Sequence, residues 1–220
     1  MKVFAAVPAY DCKVGVETVR SLLNEQLISH LAGVELQVAF QPGTSLITMA
    51  RNQICAEFLA TDAERLVMVD ADVSWEPGDL LRLAAWPKDV VGGAYRYKRE
   101  PVGYPVHFDS PGEPFIADET GNLVQVKHLP GGFLAISRGA LQRFIEAYPE
   151  RAYTHEGKSA HAFFTAPYRD GCLYGEDSAF CADWKAAGGE VWLDPELLLT
   201  HSDGLHQFTG RIGDWFRTRT

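Results

Sequence analysis

The chain has 220 residues, 46% of them hydrophobic and 22% charged, with a formal net charge of −9. Such values suit one large domain with a full core, and the negative charge argues against broad nucleic-acid binding, because a polyanionic backbone would be repelled. No stretch approaches the ~20 apolar residues that span a bilayer.

Met1 to Asp11 reads as a first strand and not a signal peptide. The cysteines Cys12, Cys55, Cys172 and Cys181 form no CxxC pair and have no zinc-like spacing, which predicts reduced, mostly buried thiols in a cytoplasmic protein. Lys2 to Val7 is the strand, broken by Pro8. Val16, Val19, Leu22, Leu23 and Leu27 recur at helical spacing. A second strand runs from Val34 to Phe40 and is closed by Gln41-Pro42-Gly43, and Ile47, Ala50, Ile54 and Phe58 mark a second amphipathic helix. Leu66 to Val69 is apolar at every position, as in a strand buried on both faces. A short helix opened by Pro77 follows, then a strand from Val90 to Tyr95. This alternation predicts a doubly wound, mostly parallel sheet.

Residues 103–129 are rich in proline and glycine, with Glu119-Thr120-Gly121-Asn122 as a hairpin turn, which makes a small antiparallel insertion. A strand over Gly131 to Ile136 leads into a helix capped by Ser137, faced by Leu141, Phe144, Ile145 and Tyr148 and stopped by Pro149. Residues 150–171 lack a period and carry Tyr153, His155, His161, Phe163, Phe164 and Tyr168, the pattern of a lid or binding loop. A further helix starts near Glu176 and stops at Gly188-Gly189. Strands Val191 to Leu193 and Leu197 to Thr200 complete the expected core.

Asp70-Ala71-Asp72 ends the Leu66–Val69 strand. Residues two apart on an extended segment point the same way, so both carboxylates can reach one point beyond the strand end. Ligands bind along that edge in open α/β sheets, and hard oxygen donors there suit Mn2+ or Mg2+. His201, at another strand end, is a sensible additional ligand; as a lone histidine it equally suits a surface hydrogen bond. Glu176-Asp177 opens a helix, where acids favour the dipole; Asp177 is placed to act as a general base, with Glu176 orienting it or holding the acceptor. Pro8-Ala9-Tyr10 follows the first strand, and Thr48, Arg51 and Asn52 share a helix face near the same end. No phosphate-binding glycine loop occurs. Arg211, Arg217 and Arg219 make the tail basic, to be solvated, to clamp a diphosphate or to lie near anionic lipid.

In this order, Val7-Pro8-Ala9-Tyr10, Ala50-Arg51-Asn52, Val69-Asp70-Ala71-Asp72, Pro130-Gly131-Gly132-Phe133, Gly175-Glu176-Asp177 and His201 resemble the GT-A nucleotide-sugar glycosyltransferases over most of the chain. The resemblance implies one domain, with residues 1–100 as the nucleotide-binding half and 101–220 as the acceptor-binding half. It implies a nucleoside-diphosphate sugar donor, UDP favoured, bound by Pro8, Ala9, Tyr10, Arg51, Asp70, Ala71, Asp72, Gly131 and Gly132. It also implies a metal at Asp70, Asp72 and His201, with Asp70 touching the ribose or a metal-bound water. Asp177 would be the base of an inverting transfer to a glycan or glycolipid hydroxyl, with peripheral membrane contact allowed and retention also open. Two rivals stand beside it. Val67 to Val73 fits the nucleophile motif of haloacid-dehalogenase-like phosphatases, although two βα units precede it; a non-catalytic nucleotide-sugar or glycan-binding module is the other.

Overall fold

A computed structural model of the protein describes residues 1–108, 115–169 and 171–218. In chain order the elements are β1 (Lys2–Ala9), α1 (Val16–Leu31), β2 (Glu35–Pro42), α2 (Ile47–Ala60), β3 (Arg65–Val69), β4 (Val73–Trp75), α3 (Asp79–Ala85) and β5 (Val90–Gly92). They continue with β6 (Val124–Gln125), β7 (Phe133–Ser137), α4 (Arg138–Ala147), β8 (Ala152–His155), β9 (Lys158–His161), β10 (Tyr168–Arg169) and β11 (Cys172–Leu173). The last are α5 (Glu176–Ala186), β12 (Trp192–Leu193), β13 (Leu199–Ser202), β14 (Gln207–Gly210) and α6 (Ile212–Arg217).

The central sheet has the order β2-β1-β3-β7-β5-β12-β6. β1 is parallel to β2 and β3, and β12 to β5; β7 and β6 run against their neighbours. The sheet is therefore mixed α/β and mostly parallel. Period-two alternation sorts its side chains onto two faces. Phe4, Ala6, Leu66, Met68, Leu134 and Ile136 pack with α2, α4 and α5, while Val3, Ala5, Val7, Val67, Val69 and Ala135 pack toward α1 and α3.

Several expected boundaries move. Pro8 does not break β1: pairing with β3 ends at Ala6, which leaves a side where the missing N–H costs no ladder bond. The strand expected from Val90 to Tyr95 stops at Gly92. β13 does not complete the core sheet but joins β4 and β14 in a separate three-stranded sheet. Cys12 and Cys172 are exposed, against the expectation of mostly buried thiols; Cys55 and Cys181 are buried.

The expected lid is instead a packed β8–β9 hairpin and its extension. His161, Phe163 and Phe164 are buried, and Phe164 stacks on Phe180, which stacks on Phe144. Each such buried phenylalanine is worth about 1.5–3 kcal/mol. Asn52, read as facing the nucleotide end, spends its amide on the backbone of Phe164, donating at 2.9 Å and accepting at 2.8 Å.

The largest departure concerns α1. Of the five positions expected to form its apolar face only Leu22 is buried; Val16, Val19, Leu23 and Leu27 are exposed. The helix instead buries Thr18, Ser21, Leu22, Glu25 and Ser29, because its job is polar. Thr18 donates to the Ala71 carbonyl (3.1 Å), Ser21 both donates to and accepts from the backbone of Trp75 (2.9 and 3.1 Å), and Gly15 N–H donates to the Ala71 carbonyl (2.7 Å). The buried Glu25 carboxylate accepts from Trp75 Nε1 and from the N–H groups of Gly78 and Leu81. The inner face of α1 thus fixes the turn that carries Asp70, Ala71 and Asp72.

Candidate active site

A cleft of about 970 Å³ opens at the carboxyl ends of β1 and β3. Pro8, Tyr10, Arg51, Asp70, Ala71, Asp72, Glu176 and His201 line it, so most of the sequence-derived set meets at one place. Among the described residues Ala9, Gly131, Gly132 and Asp177 do not line it. Ala9 is buried behind Pro8 and closes the loop by accepting from Cys12 N–H at 3.0 Å.

His201 reaches the cleft by strand pairing. Antiparallel register sets His201 opposite Val73, and Ser202 N–H donates to the Asp72 carbonyl at 2.9 Å. The ring's Nδ1 donates to the Arg96 carbonyl at 2.9 Å, so whenever the ring is neutral its Nε2 is the acceptor. It faces Asp72 Oδ1 at 3.6 Å. Two acceptors this close, too far apart to share a hydrogen bond, are suited to hold one cation between them. Lys98 meanwhile contacts Asp72 Oδ2. Burial pushes the Asp72 pKa up, but Lys98, and His201 whenever its ring is protonated, outweigh it and hold the carboxyl below its usual range.

Asp70 is turned inward. Oδ1 accepts from Arg51 Nη2 and Oδ2 from the Tyr95 hydroxyl, each at 3.0 Å. The two carboxylates therefore do not converge, and among the described residues no three His, Cys, Asp or Glu side chains gather as a metal cage. Asp72 and His201 would be the protein's donors, with the remaining positions left to water and phosphate oxygens, as Mg2+ in particular prefers.

Arg51 is the buried hub. Its guanidinium also lies 3.4 Å from Glu176 Oε1, and Phe164 covers it at 5.8 Å. Burial opposes its charge, yet Asp70 and Glu176 more than compensate and raise its pKa. Glu176 stays above the ordinary range, because burial outweighs the help from Arg51. Gly131 and Gly132 close over this group: a Cβ on Gly131 would meet Arg51 Nη1 at 1.7 Å, and one on Gly132 would meet Asp70 Oδ2 at 2.1 Å. The close approach those glycines permit is thus to the ion pair. Asp177, in the first turn of α5, accepts from Ser178 N–H at 2.7 Å.

Sequence reasoning missed two residues here, Lys98 and the Tyr95 hydroxyl as partner of Asp70. The signal was the cationic run Arg96, Lys98, Arg99, just past a strand end on the ligand edge. The basic tail is internally neutralised: Arg217 lies 2.6 Å from Asp214 and 3.3 Å from Glu196, and Arg211 lies 3.8 Å from Glu196. Arg219 falls outside the described residues. No helix among the described residues is long and apolar enough to cross a membrane.

No protein-family model matches the chain, and no curated protein matches it in sequence. Solved structures do. A197 from STIV superposes with a TM-score of 0.56 at 19% identity, covering 92% of this chain and 86% of that one. GalNAc-T7, solved with UDP, GalNAc and Mn2+, gives 0.51 at 12% identity over 90% of this chain and 43% of its own. TarS 1–349 from S. aureus gives 0.50 at 14% identity over 99% and 63%. With its mostly parallel sheet and these neighbours, the chain is built on a GT-A-like fold.

Proposed function

We propose that the chain is a metal-dependent glycosyltransferase that moves a sugar from a nucleoside-diphosphate sugar to a hydroxyl of a glycan or glycolipid, with inversion. The observation that carries this is the Asp72–His201 pair, two acceptors 3.6 Å apart at the carboxyl edge of a GT-A-like sheet. GalNAc-T7 holds UDP and Mn2+, which supports UDP as the nucleotide and Mn2+ (or Mg2+) as the metal. Such an ion would neutralise the charge that develops on the leaving diphosphate.

Pro8, Tyr10, Ala71 and the Asp70 edge take the nucleoside, with Ala9 shaping the loop beneath them and Gly131 and Gly132 sealing the floor. Arg51 holds Asp70 and Glu176 in place, so the start of α5 is fixed relative to the donor. Asp177, one residue on, accepts the acceptor's hydroxyl proton. The hydroxyl oxygen bonds to the anomeric carbon as the bond to the diphosphate oxygen breaks. Residues 1–100 and 101–220 serve as donor and acceptor halves. The phosphatase alternative fits less well, since both Asp70 oxygens are engaged by Arg51 and Tyr95.

A thermal-shift panel of nucleoside diphosphates and their sugars, with and without Mn2+, tests the reading. Metal-dependent stabilisation by UDP or a UDP-sugar, abolished in Asp72→Asn, is expected. No response to any nucleotide rejects it, and phosphoryl trapping on Asp70 would establish the phosphatase.

A further inference from the structure

Three neighbours on one short segment touch the metal edge of the cleft. The Tyr95 hydroxyl donates to Asp70, the Arg96 carbonyl accepts from His201, and the Lys98 ammonium sits on Asp72. The segment is anchored on both sides: Tyr97 N–H donates to the Gly103 carbonyl at 2.9 Å, and Arg96 Nη1 to the Thr209 carbonyl at 3.3 Å. The other cations of the cleft are committed elsewhere. Arg51 lies buried between Asp70 and Glu176, and Lys13 pairs with Asp11 at 3.2 Å. Lys98 alone of the three is paired with the carboxylate that a divalent cation would need.

We infer that Lys98 is a tethered counter-charge for the diphosphate, held on Asp72 until a divalent cation takes that carboxylate, so that cation and diphosphate binding are coupled through one side chain. The inference rests on the reading of the cleft as a nucleotide-sugar site. A cation arriving at Asp72 and His201 removes the ammonium's partner and repels it, since both are positive. The four-carbon stem is long and flexible, with three donors at its tip, and its base is held by the anchored segment. The released ammonium then meets the phosphate oxygens that the same cation recruits, and adds charge-assisted hydrogen bonds to them.

The two halves of the inference have opposite signs in one variant. With Mn2+ titrated alone and followed by loss of the free-ion electron paramagnetic resonance signal, Lys98→Gln binds about two- to fivefold more tightly, because a competing, partly exposed ion pair is gone. With Mn2+ saturating, the same variant binds UDP about tenfold more weakly. Lys98→Arg keeps the charge and stays close to the parent in both titrations. A purely structural role would weaken both. Unchanged or weaker Mn2+ binding by Lys98→Gln, or unchanged UDP binding, overturns the inference. So does UDP binding that is equally tight without Mn2+. If the parent and Asp72→Asn alike fail to bind Mn2+, the nucleotide-sugar reading itself falls and takes this inference with it.

Discussion

Arg51 Nη2 lies 3.0 Å from Asp70 Oδ1 beneath Gly131, whose missing Cβ is what leaves room for the guanidinium. A buried cation between two carboxylates has little value against a well-packed apolar core, but removing one partner strands charge. Arg51→Met therefore costs about 3 kcal/mol in chemical denaturation. Arg51→Lys recovers only part of this, since a point charge cannot serve Asp70 and Glu176 together. Gly131→Ala forces the same side chain out and lowers stability comparably. Gly131→Ala at parental stability would show that this packing does not hold the ion pair.

Glu25 makes the second prediction. Its carboxylate satisfies three donors at the start of α3 and on Trp75, with no exposure. Glu25→Ala leaves these donors buried and unpaired, at a cost of about 3 kcal/mol. It also loosens the Asp70–Asp72 turn, so Mn2+ affinity falls with stability. Leu23→Gln and Leu27→Gln, on the exposed face, change stability by less than about 0.5 kcal/mol. The reverse ranking in urea melts would restore the apolar face as the packed one.

These residues mark where the sequence was legible. The strands were, because β1, β3 and β7 are apolar on both faces and little else produces such runs. The motif order was legible too, and the fold brings Tyr10, Arg51, Asp72, Glu176 and His201 to one cleft. The inner face of α1 was not, because polar side chains bury well when the partner is a turn full of backbone donors and acceptors, and periodicity counts only apolar residues. The burial of Arg51 and Asn52 was hidden for the same reason. Their partners, Asp70 and Phe164, are 19 and 112 residues away. Lys98 was hidden likewise, since a sequence shows its charge but not the carboxylate that receives it.

The start of α5 gives a kinetic prediction. Asp177→Asn lowers kcat by ~10²–10⁴-fold, the usual worth of a general base, while UDP affinity and melting temperature hold. Glu176→Gln lowers kcat less and lowers stability as well, because it strips Arg51 of one of its two carboxylates. The opposite pattern, full loss in Glu176→Gln with Asp177→Asn active, would move the base to Glu176, whose raised pKa suits proton acceptance. Isothermal titration with UDP separates binding loss from chemical loss in each variant.

Asp79, in the first turn of α3, has its pKa pushed up to about 6, chiefly by burial, with Arg82 opposing and Asp194 and Glu25 adding to the rise. The unfolded chain titrates near ~3.9. Between those values the folded protein holds a proton that the unfolded chain has lost, so stability is present in full below about pH 4 and declines as pH rises through about 6. Asp79 is only half-buried, and solvent screening cuts the neutral-pH cost to about 1 kcal/mol. Asp79→Asn removes the titration and keeps a polar side chain at the helix start. It therefore raises the melting temperature at pH 7.5 by about 2–4 °C, as expected for a chain of this size, and leaves it unchanged at pH 4. An equal shift at both pH values would mean that shape or hydrogen bonding at position 79, and not its charge, sets the difference.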